Sequence, residues 1–227
     1  MIEFVFLDLD DTILDFGATE RKSIARLLET VGVTPTEEII HRYHVINLEH
    51  WKRLERGEIT RAQISNRFDV LFGELGMQVS TPECEKMYRQ FLSEGTDFMP
   101  GAWEAVQQLY KKYRLFLASN GTASVQAGRL QRTGLGAYFE KCFVSEALGA
   151  NKPSSEFFER AFAQIPGFDP AKAIMVGDSL TSDILGGIHA GIRTCWVNFA
   201  GRKGREDIHP DYEIESIAQL PELLEKL

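Results

Sequence analysis

The stretch Phe4-Val5-Phe6-Leu7-Asp8-Leu9-Asp10-Asp11-Thr12 runs from four apolar residues straight into three aspartates within four positions. A short apolar run rich in aromatic and β-branched side chains, ended by polar residues, reads as a buried strand, here Glu3–Leu9. The strand belongs to a parallel sheet covered on both faces, which the alternation of strands and helices farther along the chain implies. In such sheets ligands bind at the carboxyl ends of the strands, so the aspartates stand where chemistry is expected.

Other apolar runs along the chain also end in compact polar segments. After Leu115–Ala118 come Ser119, Asn120 and Gly121; after Phe143 and Val144 a loop leads to Asn151, Lys152 and Pro153. After Ile174–Gly177 come Asp178 and Ser179, with Asp183 five residues beyond Asp178. The spacing predicts strands over Arg114–Ala118, Cys142–Ser145, Ala173–Val176, Thr194–Phe199 and Tyr212–Ile214. Helices are expected between them over 101–112, 122–133, 155–164 and 182–190, with a last one over 216–226. This alternation gives an α/β fold with a Rossmann-like parallel sheet covered by helices on both faces.

Between the first strand and the rest the pattern is helical throughout. Thr34-Pro35-Thr36-Glu37, Thr60-Arg61-Ala62-Gln63 and Ser80-Thr81-Pro82-Glu83 read as helix starts, and Gly32, Gly57 and Gly76 as helix ends. Four helices, roughly 18–31, 35–56, 61–75 and 82–94, make a small bundle inserted into the α/β domain. The expected domains are therefore a core of residues 1–16 and 97–227 and a helical insert of residues 17–96.

Several carboxylates brought to one sheet edge repel each other unless a cation sits among them. Oxygen-only ligation, without His or Cys, favours a hard ion, foremost Mg²⁺. Lys152, Ser119 and loop amides add the donors that an anion needs, and together they make a phosphoryl site. A carboxylate could then attack phosphorus while a second one moves the proton. Taken singly, each piece has a plainer reading: a turn, a helix cap, a surface lysine. Their joint arrival at one edge favours function.

The chain has 227 residues, 44% hydrophobic and 11% aromatic, enough for a substantial core. With 33 acidic against 25 basic residues its net charge is −8, which disfavours a nucleic-acid polymer as partner. No apolar run approaches the roughly 18 residues of a membrane span, and no export signal is apparent. The three cysteines, Cys84, Cys142 and Cys195, suggest neither a disulfide framework nor a zinc site and read as buried thiols of a cytoplasmic protein.

Together these residues resemble the four motifs of the haloacid dehalogenase (HAD) superfamily of aspartate-nucleophile phosphohydrolases. Asp8-Leu9-Asp10-Asp11-Thr12 is similar to the first motif, Ser119 to the second, Lys152 to the third, and Gly177-Asp178 with Asp183 to the fourth. The resemblance implies that Asp8 is the nucleophile and forms an aspartyl-phosphate, and that Asp10 is the general acid and base. It implies Mg²⁺ held by Asp8, Asp10 (through its carbonyl), Asp178 and Asp183, and phosphoryl oxygens held by Ser119 and Lys152. Asp11, Thr12, Asn120 and Gly121 complete the implied phosphate-binding set. The insert resembles the family's helical cap, carried on linkers near Asp15–Gly17 and Gly95–Pro100. An acid at position 10 favours phosphatase over dehalogenase chemistry.

Within the superfamily the chain is similar to pyrimidine 5′-nucleotidases of the YjjG/YfnB type. The similarity rests on Asp11–Phe16, Asn47–Trp51, Arg129–Leu135 and Asp183–Gly191. A small phosphorylated substrate is thus expected, a nucleoside 5′-monophosphate first, with a sugar-phosphate phosphatase or phosphomutase as the alternative. A receiver-like signalling module fits less well, since its acceptor aspartate lies on a middle strand and it carries no helical insert. Phe16, Asn47, Trp51 and Arg67 are candidates for reading the leaving group, against hinge packing, helix core and, for Arg67, a solvated arginine. His41, His44 and His50 read as a solvated helix face, and the basic loop Arg202–Arg205 as solvated or bordering the site.

Overall fold

The computed structural model describes residues 1–227. Two compact units emerge, Met1–Asp15 with Thr96–Leu227, and Phe16–Gly95. No helix is long and apolar enough to cross a membrane.

The first unit is built on a six-stranded, wholly parallel sheet of order β3-β2-β1-β4-β5-β6. The strands are β1 (Phe4–Leu7), β2 (Arg114–Ser119), β3 (Lys141–Val144), β4 (Ala173–Gly177), β5 (Arg193–Val197) and β6 (Tyr212–Ile214). Side chains alternate across β1 and sort into two cores. Val5 and Leu7 join an aliphatic cluster with Leu115, Leu117, Ile174 and Val176. Phe4 and Phe6 face the other way, into an aromatic cluster with Phe116, Phe143, Phe157 and Phe158. Phe6 stacks on Phe116 with ring centroids 5.1 Å apart. Every residue of β1 is buried, because helices cover both faces and neither side of the strand meets water.

The second unit holds four helices, α1 (Phe16–Thr30), α2 (Glu37–Glu55), α3 (Asn66–Glu74) and α4 (Thr81–Ser93). Its centre is aromatic: Tyr43, Phe68 and Tyr88 meet with centroids 5.4 to 5.7 Å apart. The helix starts differ in part from the sequence expectation. Thr60 and Gln63 form the expected capping box, with Thr60 N donating to Gln63 Oε1 at 2.8 Å. The cap of α2 is Thr36, not Thr34: its hydroxyl accepts from Ile39 N, so Pro35 precedes the helix instead of opening it. Ser80 caps α4 without a side-chain bond.

The remaining helices belong to the first unit: α5 (Ala102–Leu109), α6 (Ala123–Thr133), α7 (Ser145–Leu148), α8 (Ser155–Phe162), α9 (Leu185–His189) and α10 (Leu220–Glu225). Apolar residues of α5 and α10, such as Val106 and Leu224, cover the aliphatic face, and α8 covers the aromatic one. Helix α7 takes over at Ser145, where the strand was expected to continue; four residues are too few to carry a period. Cys84 and Cys195 are buried, but Cys142 is exposed. It lies on β3, an edge strand, where one side has no neighbouring strand to cover it.

Candidate active site

Strand order decides what meets at the carboxyl edge. β1 is central, flanked by β2 and β4, and the register pairs Leu7 with Leu117 and with Val176. Asp8 therefore emerges level with the ends of both neighbours, and its N–H continues the ladder to Val176 O at 2.9 Å. Ser119 ends β2, Asp178 follows β4, and the loop after α7 returns Lys152 to the same point.

Lys152 is almost wholly buried, and its ammonium has three acceptors for three protons. Nζ donates to Asp8 Oδ1 at 2.7 Å, to Asp183 Oδ1 at 2.6 Å and to the Ala118 carbonyl at 2.5 Å. Burial alone would depress the lysine pKa, but the Asp183 and Asp8 carboxylates outweigh it and hold the ammonium charged. For Asp8 the balance falls the other way. Burial raises its pKa well above the ordinary carboxylate value, Lys152 opposes that, and Asp183 and Asp10 add to it.

Asp183 is seated by local backbone chemistry. The chain after β4 forms one π-helical turn, Leu180–Ile184, in which Ser179 O accepts from both Asp183 N and Ile184 N. That wide turn is why Asp183 follows Asp178 at a distance of five residues yet faces the same centre. Asp183 Oδ2 accepts from Ser179 N at 3.0 Å. Gly177 makes the room: a Cβ there would stand 2.2 Å from Asp183 Oδ2.

Asp8, Asp178 and Asp183 each offer a carboxylate oxygen, and these atoms lie within 4.8 Å of one another. Burial, then Asp183 and Asp11, push the Asp178 carboxyl up to about 7, against the pull of Arg202. Three crowded carboxylates, two of them buried and that of Asp178 half-buried, fit a hard divalent cation, which would take oxygen ligands and relieve the repulsion. Arg202 borders the site: its Nη2 donates to the Asp178 carbonyl at 2.5 Å and lies 3.2 Å from Oδ2. Trp196 Nε1 donates to the same carbonyl at 2.8 Å. The basic loop is thus tied down at Arg202, while Arg205 turns to Asp207.

Ser119 Oγ accepts from Gly121 N and from Gln126 Nε2, both at 3.0 Å. Two accepted bonds occupy its lone pairs, so its proton is directed elsewhere, as a phosphoryl oxygen would require. The expected phosphate ligands beside it have other partners. Gly121 N serves Ser119, and the Asn120 side chain clips the Lys152 backbone, accepting from Lys152 N and donating to Lys152 O, each at 2.9 Å. Asn120 thus holds the backbone of Lys152. Thr12 is fully buried with its hydroxyl unpartnered, and Asp11 takes a left-handed φ of 55° in the turn that follows Asp10.

Sequence motifs give no role to Gln126 or Arg129, yet both reach the site. Gln126 Nε2 also donates to Asp10 Oδ2 at 2.7 Å, and Arg129 Nη1 donates to Asp10 Oδ1. A glutamine and an arginine three apart on a helix carry no motif, and only the packing of α6 shows what they face.

Within the helical unit, Phe16 opens α1, and Trp51 packs on Leu54, Ile59 and Ile64. Asn47 is buried; its Nδ2 donates to Glu20 Oε1 at 2.6 Å, and its Oδ1 has no partner. His44 Nδ1 lies 2.5 Å from Glu20 Oε2 while its ring stays exposed, so His41 and His44 keep the solvent-facing place expected of all three, and only His50 is buried. Arg67 is not solvated. It is buried under Phe68 and Tyr88, and its guanidinium donates to Tyr43 Oη, Ile64 O and Glu85. That arrangement knits the helical unit, and the isolated Arg in the sequence gave no sign of it.

The haloacid dehalogenase-like hydrolase family matches residues 2–191. HAD-hydrolase YfnB of Bacillus subtilis is 37% identical over 97% of this chain and 94% of its own. Its structure, determined bound to magnesium and described as revealing interdomain movement, superimposes with a TM-score of 0.94 over 98% of each chain. Pyrimidine 5′-nucleotidase PynA of Streptococcus pneumoniae is 36% identical over 99% of this chain and 95% of its own. Pyrimidine 5′-nucleotidase YjjG of Escherichia coli is 31% identical over 98% and 97%. An edge of aspartates, one hydroxyl and one buried ammonium on a parallel sheet, matched across nearly the whole chain, makes this protein a member of the haloacid dehalogenase-like hydrolase family.

Proposed function

We propose that the protein is a Mg²⁺-dependent phosphomonoesterase that works through an aspartyl-phosphate on Asp8 and prefers pyrimidine nucleoside 5′-monophosphates. The observation that carries the chemistry is the convergence of Asp8, Lys152 and Asp183, with Asp8 Oδ1 2.7 Å from the ammonium that Asp183 also holds. One carboxylate oxygen is thereby anchored, and the other is the nucleophile.

Asp8, Asp178 and Asp183, with the Asp10 carbonyl, are the groups that would hold Mg²⁺. When bound, the ion would supply charge neutralisation for the phosphoryl oxygens and favour the ionised form of Asp8. Asp8 attacks phosphorus, the bond to the leaving oxygen breaks, and Asp10 gives that oxygen a proton. Asp10 then takes a proton from water, which attacks the aspartyl-phosphate and frees phosphate and Asp8. Ser119 donates its proton to a phosphoryl oxygen, and Lys152 offsets charge on Asp8 and the phosphoryl group.

The nucleotide preference is supported by PynA and YjjG, both pyrimidine 5′-nucleotidases similar to this chain over nearly its full length. Phe16, Trp51 and Asn47, whose Nδ2 donates to Glu20 and whose Oδ1 is a buried acceptor, are the residues of the helical unit proposed to read the base.

Phosphate release from a panel of nucleoside monophosphates and sugar phosphates, with Mg²⁺, with chelator and with Asp8→Asn, tests this reading. Mg²⁺-dependent turnover fastest on uridine and cytidine monophosphates and abolished in Asp8→Asn supports it. Fastest turnover on sugar phosphates overturns the substrate assignment, and full activity in Asp8→Asn overturns the mechanism.

A further inference from the structure

Asp10 has two tasks in the proposed mechanism, and an aspartate in a turn is poorly equipped to perform either unaided. Its terminal torsion is soft, and part of its side chain is open to solvent. Here both of its oxygens are held from one helix. Arg129 Nη1 donates to Oδ1, and Gln126 Nε2 donates to Oδ2 at 2.7 Å. Gln126 and Arg129 lie three apart and so share one face of α6.

The holders are themselves held. The second amide hydrogen of Gln126 goes to Ser119 Oγ at 3.0 Å, and its oxygen accepts from Arg129 Nη1 at 3.3 Å. Gln126 is 1% exposed and Arg129 0%, so both side chains are closed in by their neighbours. A Cβ on Gly121 would fall 2.2 Å from Gln126 Nε2, so the glycine keeps that seat open. Burying a guanidinium is costly when an apolar side chain could fill the space, as Val125 and Leu130 do on the same helix. One amide therefore spans the hydroxyl that faces the phosphoryl group and the carboxylate that moves the proton, and fixes the distance between them.

We infer that Gln126 and Arg129 are positioning residues that hold the Asp10 carboxylate where it can protonate the leaving oxygen and later deprotonate the attacking water. The inference rests on the proposed role of Asp10. In the first step the Asp8–phosphorus bond forms, the bond to the leaving oxygen breaks, and a proton passes from Asp10 to that oxygen. In the second, water bonds to phosphorus, the Asp8–phosphorus bond breaks, and a proton returns to Asp10.

The two steps can be separated by the leaving group. p-Nitrophenolate departs without a proton, so the first step on p-nitrophenyl phosphate does not need Asp10, whereas the second step does. In Arg129→Met, rapid mixing with p-nitrophenyl phosphate should give a burst approaching one p-nitrophenolate per competent site. Turnover about 10²-fold slower than wild type should come after it, with phosphate trapped on Asp8. On uridine 5′-monophosphate the same variant should lose turnover without a burst. Arg129→Lys, which keeps a donor, should recover part of the rate, and Gln126→Leu should show a weaker form of the same pattern. Because burst amplitude counts competent sites, partial misfolding lowers the amplitude without removing the biphasic shape. Equal losses on both substrates with no burst, or unchanged rates, would overturn the inference and leave Arg129 a structural residue. Failure of the wild-type protein to place phosphate on Asp8 would instead sink the underlying mechanism, and the inference with it.

Discussion

A Cβ on Gly177 would stand 2.2 Å from Asp183 Oδ2, so the end of β4 must be glycine for that carboxylate to reach the site. Asp183 in turn accepts from Ser179 N and from Lys152, and with Asp8 and Asp178 it forms the acidic cluster. Gly177→Ala should push Asp183 out of this arrangement. Changes of that kind beside a metal site typically lower affinity or activity by about 10–100-fold. Mg²⁺ titration of the variant should show the loss, and wild-type affinity would mean that the turn relaxes around the methyl group.

Lys152 is the one ammonium among Asp8, Asp183 and the Ala118 carbonyl. Lys152→Met leaves two buried carboxylates facing each other with no proton donor between them. We expect kcat to fall by about 10²–10³, as when a charge-stabilising donor is removed. Thermal melts should show the variant losing stability as pH rises, because the proton that replaces the lysine charge is then removed. A variant with near-native kcat would contradict the assigned role.

The pH dependence of cation binding is set by Asp178, whose carboxyl is pushed up to about 7 by burial and by its acidic neighbours. The folded protein without metal holds this proton more tightly than the unfolded chain. Its stability should therefore decline as pH rises from about 4 to 7. A cation must displace this proton, and any on Asp8, so Mg²⁺ affinity should rise at least about tenfold between pH 6 and 8, with protons released on binding. Calorimetric titration in buffers of different ionisation enthalpy measures both, and a pH-independent affinity would contradict the crowding argument.

Arg67 tests the division between fabric and function in the helical unit. Its bonds to Tyr43 and Ile64 are buried and that to Glu85 partly so, and removing one partner of a buried ion pair costs about 3–5 kcal/mol. Arg67→Met should lower the unfolding free energy by that order while leaving KM for the preferred nucleotide unchanged at low temperature. A raised KM with an unchanged melting curve would return Arg67 to the substrate-reading residues.

The parts of this architecture visible in the sequence are those with a short-range signature. Phe4–Leu7 reads as a hydrophobic strand because all its residues are apolar, and Asp8, Ser119, Lys152 and Asp178 each come after such a run or its loop. Thr60 and Gln63 announce their helix by a local capping box. The features that escaped have partners far away along the chain. Gln126 and Arg129 face Asp10 across 116 and 119 residues, and only the order of strands brings them together. Arg67 and His50 sit on helices whose polar residues read as solvated, and tertiary packing buried them. The short helix α7 and the π-helical turn before α9 are too brief for any periodicity to report.

Acid quench of the protein with a stoichiometric phosphomonoester and Mg²⁺, followed by mass spectrometry of its peptides, addresses the central claim that Asp8 becomes phosphorylated. One phosphoryl group is expected on the peptide carrying Asp8, absent with chelator and absent in Asp8→Asn. Phosphate release with no adduct on Asp8, or with an adduct on another residue, would contradict it.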